Sequence, residues 1–322
     1  MIATAWHPHG CDSSSLAWVS VACGLGAITW DVLDNMDGPQ ARRTKTAGIL
    51  GDYLDHMLDY ISLACVVYGT LWSINLGRDP LGLIMSAAAL AAHGAAVYLV
   101  WWGRRFTRCV ALPLISQDEV VVITASFMFY TATVPIETWA EPCAPWGFAP
   151  FGVVLSRGQF ITFCLLIFLG VGNPVLSIIE TLTHHAFPSG ERAEALYELW
   201  PLISFLLALA SSIAYLVHAQ APLPSIAVSS LAVASVCWPL SALQLLSSIA
   251  GRAPSNTVCA ALATWPIVMT AAHLLIPSYG LLATALAMHA VTTAAICHFV
   301  PVLMRRVQCP SLWVIPQEGA MV

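Results

Sequence analysis

Apolar stretches of membrane-crossing length recur along the chain, parted by short polar or turn-forming segments. They fall at roughly 15–36, 49–76, 80–102, 119–138, 156–181, 196–218, 224–250, 256–277 and 279–304. About 20 apolar residues are enough to span a bilayer as a helix. The separators carry turn chemistry: Gly77-Arg78-Asp79-Pro80, a Pro- and Gly-rich loop over 142–152, Pro188-Ser189-Gly190, Pro222-Leu223-Pro224, Gly251-Arg252-Ala253-Pro254 and Pro277-Ser278. The pattern predicts an all-α, polytopic transmembrane bundle of about nine spanning helices, forming one domain over 1–322. No internal repeat is visible.

Composition supports a bilayer as the solvent. Hydrophobic residues make up 58% of the chain and charged residues 9%, where a soluble domain carries about 25% charged. So few charges cannot cover a water-facing surface. The ten cysteines show no CxxC pair and no metal-type spacing with histidine, so they read as small apolar residues within helices. No basic run points to nucleic acid, and the N-terminus lacks the basic region of a cleaved signal peptide.

Basic residues orient the chain, because cytoplasmic loops carry an excess of Lys and Arg. With Arg42, Arg43 and Lys45 in the cytoplasm and strict alternation from there, Arg104, Arg105, Arg108, Arg192, Arg252, Arg305 and Arg306 fall on the same side. Of the 12 basic residues only Arg78 and Arg157 fall outside.

The candidate chemistry lies in the motif helices, over about 15–76. Six of the 17 acids (Asp31, Asp34, Asp37, Asp52, Asp55, Asp59) sit in that region. Asp34 and Asp37 are three apart and share a helical face, and Asp55 and Asp59 are four apart and share another. A short turn over 44–47 would join the two helices antiparallel, bringing four carboxylates together at one end of the pair. Carboxylates inside a membrane protein are costly and functional by default, and four that converge repel unless cations neutralise them. Hard oxygen ligands suit Mg²⁺ or Mn²⁺, and two such ions would clamp a diphosphate. Gly38 and Gly51 remove side chains where a ligand or a neighbouring helix must come close. Arg42 offers a planar fork of donors to a phosphate. Asp31 and Asp52 read instead as solvated acids near helix ends.

These residues follow the pattern D-x2-D-G-x2-A-R-x8-G-x3-D-x3-D at every fixed position: Asp34, Asp37, Gly38, Ala41, Arg42, Gly51, Asp55 and Asp59. The segment resembles the CDP-alcohol phosphotransferase family. Its wording, with Gln40-Ala41-Arg42-Arg43-Thr44 and Asp55-His56, resembles the eukaryotic choline and ethanolamine branch. The resemblance implies that Asp34, Asp37 and Asp55 hold divalent cations and that Asp59 completes the metal site and is a candidate base. It implies that His56 and, by a looser alignment, Glu119 activate the lipid hydroxyl. Substrate-binding roles fall to Gly38, Ala41, Arg42 and Gly51. The implied substrates are CDP-choline or CDP-ethanolamine and diacylglycerol, in the endoplasmic reticulum or Golgi with the site facing the cytoplasm. A second copy of the chain is a candidate partner. The family usually carries one helix more ahead of the motif than the residues before Asp34 allow, so a helix that helps shape the nucleotide pocket is expected to be missing.

On the residues themselves, His56 is next to a predicted ligand and titrates near neutrality. Glu119 opens a helix at the level of the acid cluster, where the helix dipole would also favour an acid with no chemical role. Trp101 and Trp102 read as an interfacial aromatic belt. Two rivals remain. One is a family member using CDP-diacylglycerol and a soluble alcohol. The other is a non-catalytic membrane transporter or scaffold, against which the missing repeats and the position of the acids at one edge both argue.

Overall fold

The computed structural model describes residues 13–77, 79–110, 117–143, 149–188, 190–218 and 236–250, with a few further positions between 286 and 301. The described residues are overwhelmingly helical, as the apolar pattern predicts. A two-residue ribbon, β1 (Pro142–Cys143) paired antiparallel with β2 (Leu155–Ser156), is the one small sheet among them.

Helix α1 (Ser13–Thr44) carries the motif's first half at its C-terminal end and runs unbroken through Pro39. It closes with a Schellman motif. Lys45 adopts a left-handed φ of 59°, the Lys45 amide bonds the Arg42 carbonyl at 3.3 Å and the Thr46 amide bonds the Ala41 carbonyl at 2.9 Å. The chain thereby reverses within the predicted 44–47 turn and enters α2 (Ile49–Ser73), whose N-cap Gly48 is extended. The same device ends α2: Asn75 takes a φ of 68°, and the Leu76 amide bonds the Leu71 carbonyl at 3.2 Å. Asn tolerates this conformation better than Lys does.

Helix α3 (Pro80–Thr107) is central among the described helices, most of which pack against it. Its N-cap Asp79 accepts from the Gly82 amide at 2.8 Å, and Pro80 occupies the first turn, where its missing N–H costs nothing. Gln159 also donates to Asp79, at 2.9 Å, tying this end to α6 (Arg157–Leu165). The remaining described helices are α4 (Gln117–Thr133), α5 (Ile136–Ala140), α7 (Asn173–Thr183), α8 (Arg192–Glu198), α9 (Trp200–His218) and α10 (Cys237–Ala250). A π-helical stretch, Leu166–Gly172, joins α6 to α7 in one continuous rod. Helix α1 packs chiefly against α4 and then α2, and α3 chiefly against α10 and then α7. At Gly24 a Cβ would lie 2.8 Å from the Phe129 ring, so α1 and α4 approach as closely as they do because that position is glycine.

Two clusters of buried side chains position the site. One joins α3 to α8, α9 and α10 around Trp102, Phe205 and Leu240. The other joins α2, α3 and α10 through Met57, Tyr60, Trp101, Ala242 and Leu245. A third, smaller cluster packs Val121 and Ala125 of α4 against Ala27 of α1 and Leu63 of α2.

Three segments are long and apolar enough to cross a membrane among the described residues: Pro80–Thr107, Arg157–Thr183 and Arg192–Ser211. The nine expected spans are therefore matched only in part. Helices α1 and α2 have the length, but their acids, serines and glycines dilute the apolar content. The fourth expected span ends early, because the helix stops at Thr133 before Pro135. The last two expected spans and the first part of the seventh lie outside the described residues, apart from the scattered positions.

Candidate functional site

The turn at Lys45 sets α1 and α2 side by side, and the four predicted acids meet across the pair. Asp34, Asp37 and Asp55 bring carboxylate oxygens within 4.8 Å of one another, and Asp55, His56 and Asp59 form a second group to the same limit. The pairing is diagonal, as antiparallel helices require. The Asp55 carboxyl lies against that of Asp37 and the Asp59 carboxyl against that of Asp34. Two full charges about 5 Å apart repel by roughly 3 kcal/mol at an effective dielectric near 20. Bringing these carboxylates together in the charged state is therefore costly, and a cation among their oxygens would offset the repulsion.

Among the described residues a Cβ on Gly51 would meet nothing within 4 Å, and the three atoms nearest a Cβ on Gly38, from 3.4 Å outward, all belong to the Arg42 guanidinium. Arg42 thus folds back over Gly38, on the side of the helix that carries the acids. Ala41 gives its carbonyl to the turn. The carboxylate oxygens of the four acids are hard donors that fit Mg²⁺ or Mn²⁺, with a His56 nitrogen beside the second group.

His56 is held on several sides. Its Nδ1 lies 3.3 Å from Asp55 Oδ2 and its Nε2 lies 3.9 Å from Asp52 Oδ1. Its ring packs on Trp101 with centroids 4.6 Å apart. Glu119 is exposed in the first turn of α4 and belongs to neither close group of acids among the described residues. The packing of Val120 and Val121 on Trp30, Ala27 and Leu63 sets this end of α4 within about a turn of Asp59 along α2.

No family model matches the chain. Among curated proteins it is similar to choline/ethanolaminephosphotransferase 2 of Arabidopsis thaliana, with 28% identity over 204 residues, covering 61% of this chain and 50% of the relative. It is 36% identical over 129 residues to ethanolaminephosphotransferase 1 of Mus musculus, covering 39% of this chain and 31% of the relative. It is 40% identical over 63 residues to cholinephosphotransferase 1 of Xenopus laevis, covering 20% and 16%. The chain is related to the CDP-alcohol phosphotransferases. It spans about half the length of the two Arabidopsis relatives it matches.

Within this relationship the structure revises three readings of the sequence. Asp52 is not a merely solvated acid, because Arg104 of α3 donates to its Oδ2 at 3.3 Å. Asp31 is half-buried, and its Oδ1 is shielded, with no hydrogen-bond partner among the described residues. Trp101 and Trp102 do not form an interfacial belt. They are 6% and 0% exposed, Trp101 against His56 and Trp102 donating to the Ala195 carbonyl at 2.9 Å. Arg104 is the residue that reading the chain missed, having counted it only as a charge that orients the helix. Its separation of three from Trp101, which puts both on one helical face, is the signal that was present.

Proposed function

We propose that the protein transfers phosphocholine or phosphoethanolamine from the CDP-alcohol to diacylglycerol, releasing CMP and forming a phospholipid. The observation that carries this reading is the close convergence of Asp34, Asp37, Asp55 and Asp59 across an antiparallel helix pair, beside glycines that leave room for a ligand. The curated relatives are named for both head groups, which supports the reaction class and leaves the alcohol open between the two.

Asp34, Asp37, Asp55 and Asp59 would hold Mg²⁺ or Mn²⁺, two ions by the count of acids. When bound, these would neutralise the diphosphate and the charge on the attacking and leaving oxygens. Arg42 contributes a fork of donors to a phosphate, and Gly38, Ala41 and Gly51 keep side-chain bulk away from it. The diacylglycerol hydroxyl, arriving from the bilayer, bonds to the phosphorus nearer the alcohol. The bond from that phosphorus to the bridging oxygen breaks, and CMP leaves with that oxygen. The hydroxyl proton passes to His56, with Glu119 orienting the imidazole or relaying the proton. Asp59 is the less suitable base, since a bound cation would engage its oxygens and lower its basicity. Most of the rate enhancement in such phosphoryl chemistry comes from positioning and charge neutralisation. The protein is an integral membrane enzyme of the endoplasmic reticulum or Golgi on this reading, with the acid cluster facing the cytoplasm.

The test is an assay of the purified protein with labelled CDP-choline and CDP-ethanolamine in diacylglycerol-containing mixed micelles. Labelled phospholipid and free CMP are the expected products. Product formed only when CDP-diacylglycerol and a soluble alcohol are supplied instead would overturn the reading in favour of the other donor and acceptor pair within the family. No product from any CDP-linked donor would point to a non-catalytic protein.

A further inference from the structure

The segment Arg192–Ser211, one of the three of crossing length, carries its residue types in layers along one exposed stripe. It opens with Arg192 and Glu194, both exposed. Ala193, Leu196, Tyr197, Trp200, Ile203 and Leu207 then recur three or four apart, on a single helical face. Tyr197 is 48% exposed and Trp200 45%, and beyond them Ile203 and Leu207 are exposed aliphatics. The other face, with Ala195, Leu199, Leu202, Phe205 and Leu209, is buried in the cluster around Trp102. The outer stripe therefore runs from charge, through two amphipathic aromatics, to aliphatic side chains alone. A bilayer presents its water, headgroup and hydrocarbon layers in that same order. Trp and Tyr favour the middle layer, where the ring body is sheltered and the polar tip stays wet.

Helix α3 relates the depth of these aromatics to that of the acids. On one side the Tyr98 hydroxyl donates to the Glu198 carbonyl at 2.6 Å and the Trp102 indole to the Ala195 carbonyl at 2.9 Å. Arg105 reaches Glu194 Oε1 at 2.9 Å and Glu198 Oε1 at 2.8 Å. Later residues of α3 meet earlier residues of α8, so the two run antiparallel. On its other side α3 also runs antiparallel to α2. Arg104 meets Asp52 at 3.3 Å, the Trp101 ring lies 4.6 Å from that of His56, and the His93 ring lies 5.1 Å from that of Tyr60. Tyr98, beside Glu198, falls between Trp101, beside His56, and His93, beside Tyr60. Three residues of helix span about 4.5 Å. Measured along α3, the 197–200 turn is thus within about a turn of the Asp55–Asp59 segment.

We propose that Tyr197 and Trp200 are an anchor for the headgroup layer of the membrane, and that this anchor sets the depth of the acid cluster. The stripe is a lipid-facing surface with a fixed height, not merely an apolar one. Glu198 is 1% exposed, so its ion pair with Arg105 is shielded and costly to break from one side. That pair, with the Tyr98 and Trp102 bonds, ties α8 to α3. The height set by the aromatics is therefore passed to α3, and through Trp101 and Arg104 to α2. The second half of the proposal rests on the reading of diacylglycerol as acceptor. Diacylglycerol has no charged headgroup, and its hydroxyl lies beside its ester groups, just under the headgroups of neighbouring lipids. Acids level with the aromatic pair meet that hydroxyl without lifting the lipid out of the film.

The test places nitroxide labels singly at Ala193→Cys, Leu196→Cys, Ile203→Cys and Leu207→Cys, in a cysteine-free full chain reconstituted in phosphatidylcholine vesicles. Collisions with a polar nickel chelate and with oxygen report water and hydrocarbon respectively. The nickel chelate is expected to dominate at Ala193 and oxygen at Ile203 and Leu207, with the crossover between them. In Tyr197→Leu/Trp200→Leu the segment is expected to sink by about 5 Å, one helical turn, so that oxygen dominates at Leu196. Tyr197→Trp/Trp200→Tyr, which keeps two interfacial aromatics, is expected to hold the wild-type crossover. Folding of each variant is checked by thermal melt. Turnover on the unlabelled variants is expected to show a several-fold rise in KM for diacylglycerol, as mole fraction, in the double leucine variant alone, with CDP-alcohol binding unchanged. Nickel access at Ile203 equal to that at Ala193, or a crossover unmoved by the two leucines, would overturn the anchor. Exclusion of both reagents at Ile203, with dipolar broadening between labels, would give the stripe to a second copy of the chain and refute it. A moved crossover with an unchanged KM for diacylglycerol would overturn the link to acceptor depth. A wild type without turnover would sink the proposed reaction, while the crossover would still decide the anchor.

Discussion

At the scale of single residues, the four clustered acids make a demanding prediction because their roles in stability and in function have opposite signs. Carboxylates crowded within 4.8 Å destabilise a metal-free protein. Asp34→Asn, Asp37→Asn, Asp55→Asn and Asp59→Asn are each expected to leave the melting temperature in chelator unchanged or raised, while abolishing turnover. Added Mg²⁺ or Mn²⁺ at about 100 times its Kd is expected to stabilise the wild type by roughly 2.7 kcal/mol, and to stabilise each variant less. A melt that drops on substitution in chelator would mean that the acids hold the helices together rather than strain them. His56→Ala and Glu119→Gln are expected to lower turnover by roughly 10²-fold or more with CDP-alcohol binding intact, measured by titration of the purified variants. The acid spacing was legible in the chain because i,i+3 and i,i+4 separations have one geometric meaning on a helix. The surroundings of His56 were not, because Trp101 and Arg104 come from another helix and nothing local specifies which face of α3 meets α2. For the same reason Asp52 read as solvated until α3 was placed beside it.

At the scale of the element, the joint between α1 and α2 decides whether the acids meet at all. A turn over 44–47 could be inferred, since polar residues and Gly48 interrupt two helical patterns there. The path of α1 through Pro39 was less evident, because proline removes a helical hydrogen bond and usually bends or ends a helix. Here the helix continues for more than a turn beyond it. The left-handed Lys45 gives a sharp test. Lys45→Gly removes the Cβ cost of that conformation and is expected to retain turnover and to melt no lower than wild type. Lys45→Pro forces φ to about −65° where the turn needs 59°, and is expected to abolish both turnover and the stabilisation by added cation. Equal behaviour of the two variants would show that the turn does not set the alignment of the acids.

At the scale of the whole molecule, the charge pattern and the packing agree on which ends belong together. Arg104 meets Asp52 and Arg105 meets Glu194 and Glu198 at one end, while Arg157 pairs with Glu141 at 2.8 Å on the far side. Among the described residues this sets Arg104 and Arg105 at the end of α3 away from Arg157, as alternation expects of those three, whereas the number of crossings was not readable from the chain, since apolar length alone does not separate a spanning helix from a broken one such as α4 and α5. A single cysteine at Thr46 in a cysteine-free background is expected to label from the cytoplasmic side only, and one at Gly152 from the opposite side only. Labelling of both from one side would remove the alternation on which the proposed orientation rests.

The rod from α6 through the π-helical stretch to α7 leaves Leu165, Ile167, Phe168, Val171, Val175 and Ile179 exposed along much of its length. Such a surface commits the protein to an amphiphile, and it also changes what concentration means for the proposed reaction. The CDP-alcohol is counted per volume of water, but diacylglycerol is counted per area of the film that surrounds these side chains. Diluting a mixed micelle with inert detergent, at constant amounts of protein and diacylglycerol, should therefore slow the reaction in proportion to the lipid's mole fraction, whereas adding water should hardly slow it at saturating nucleotide.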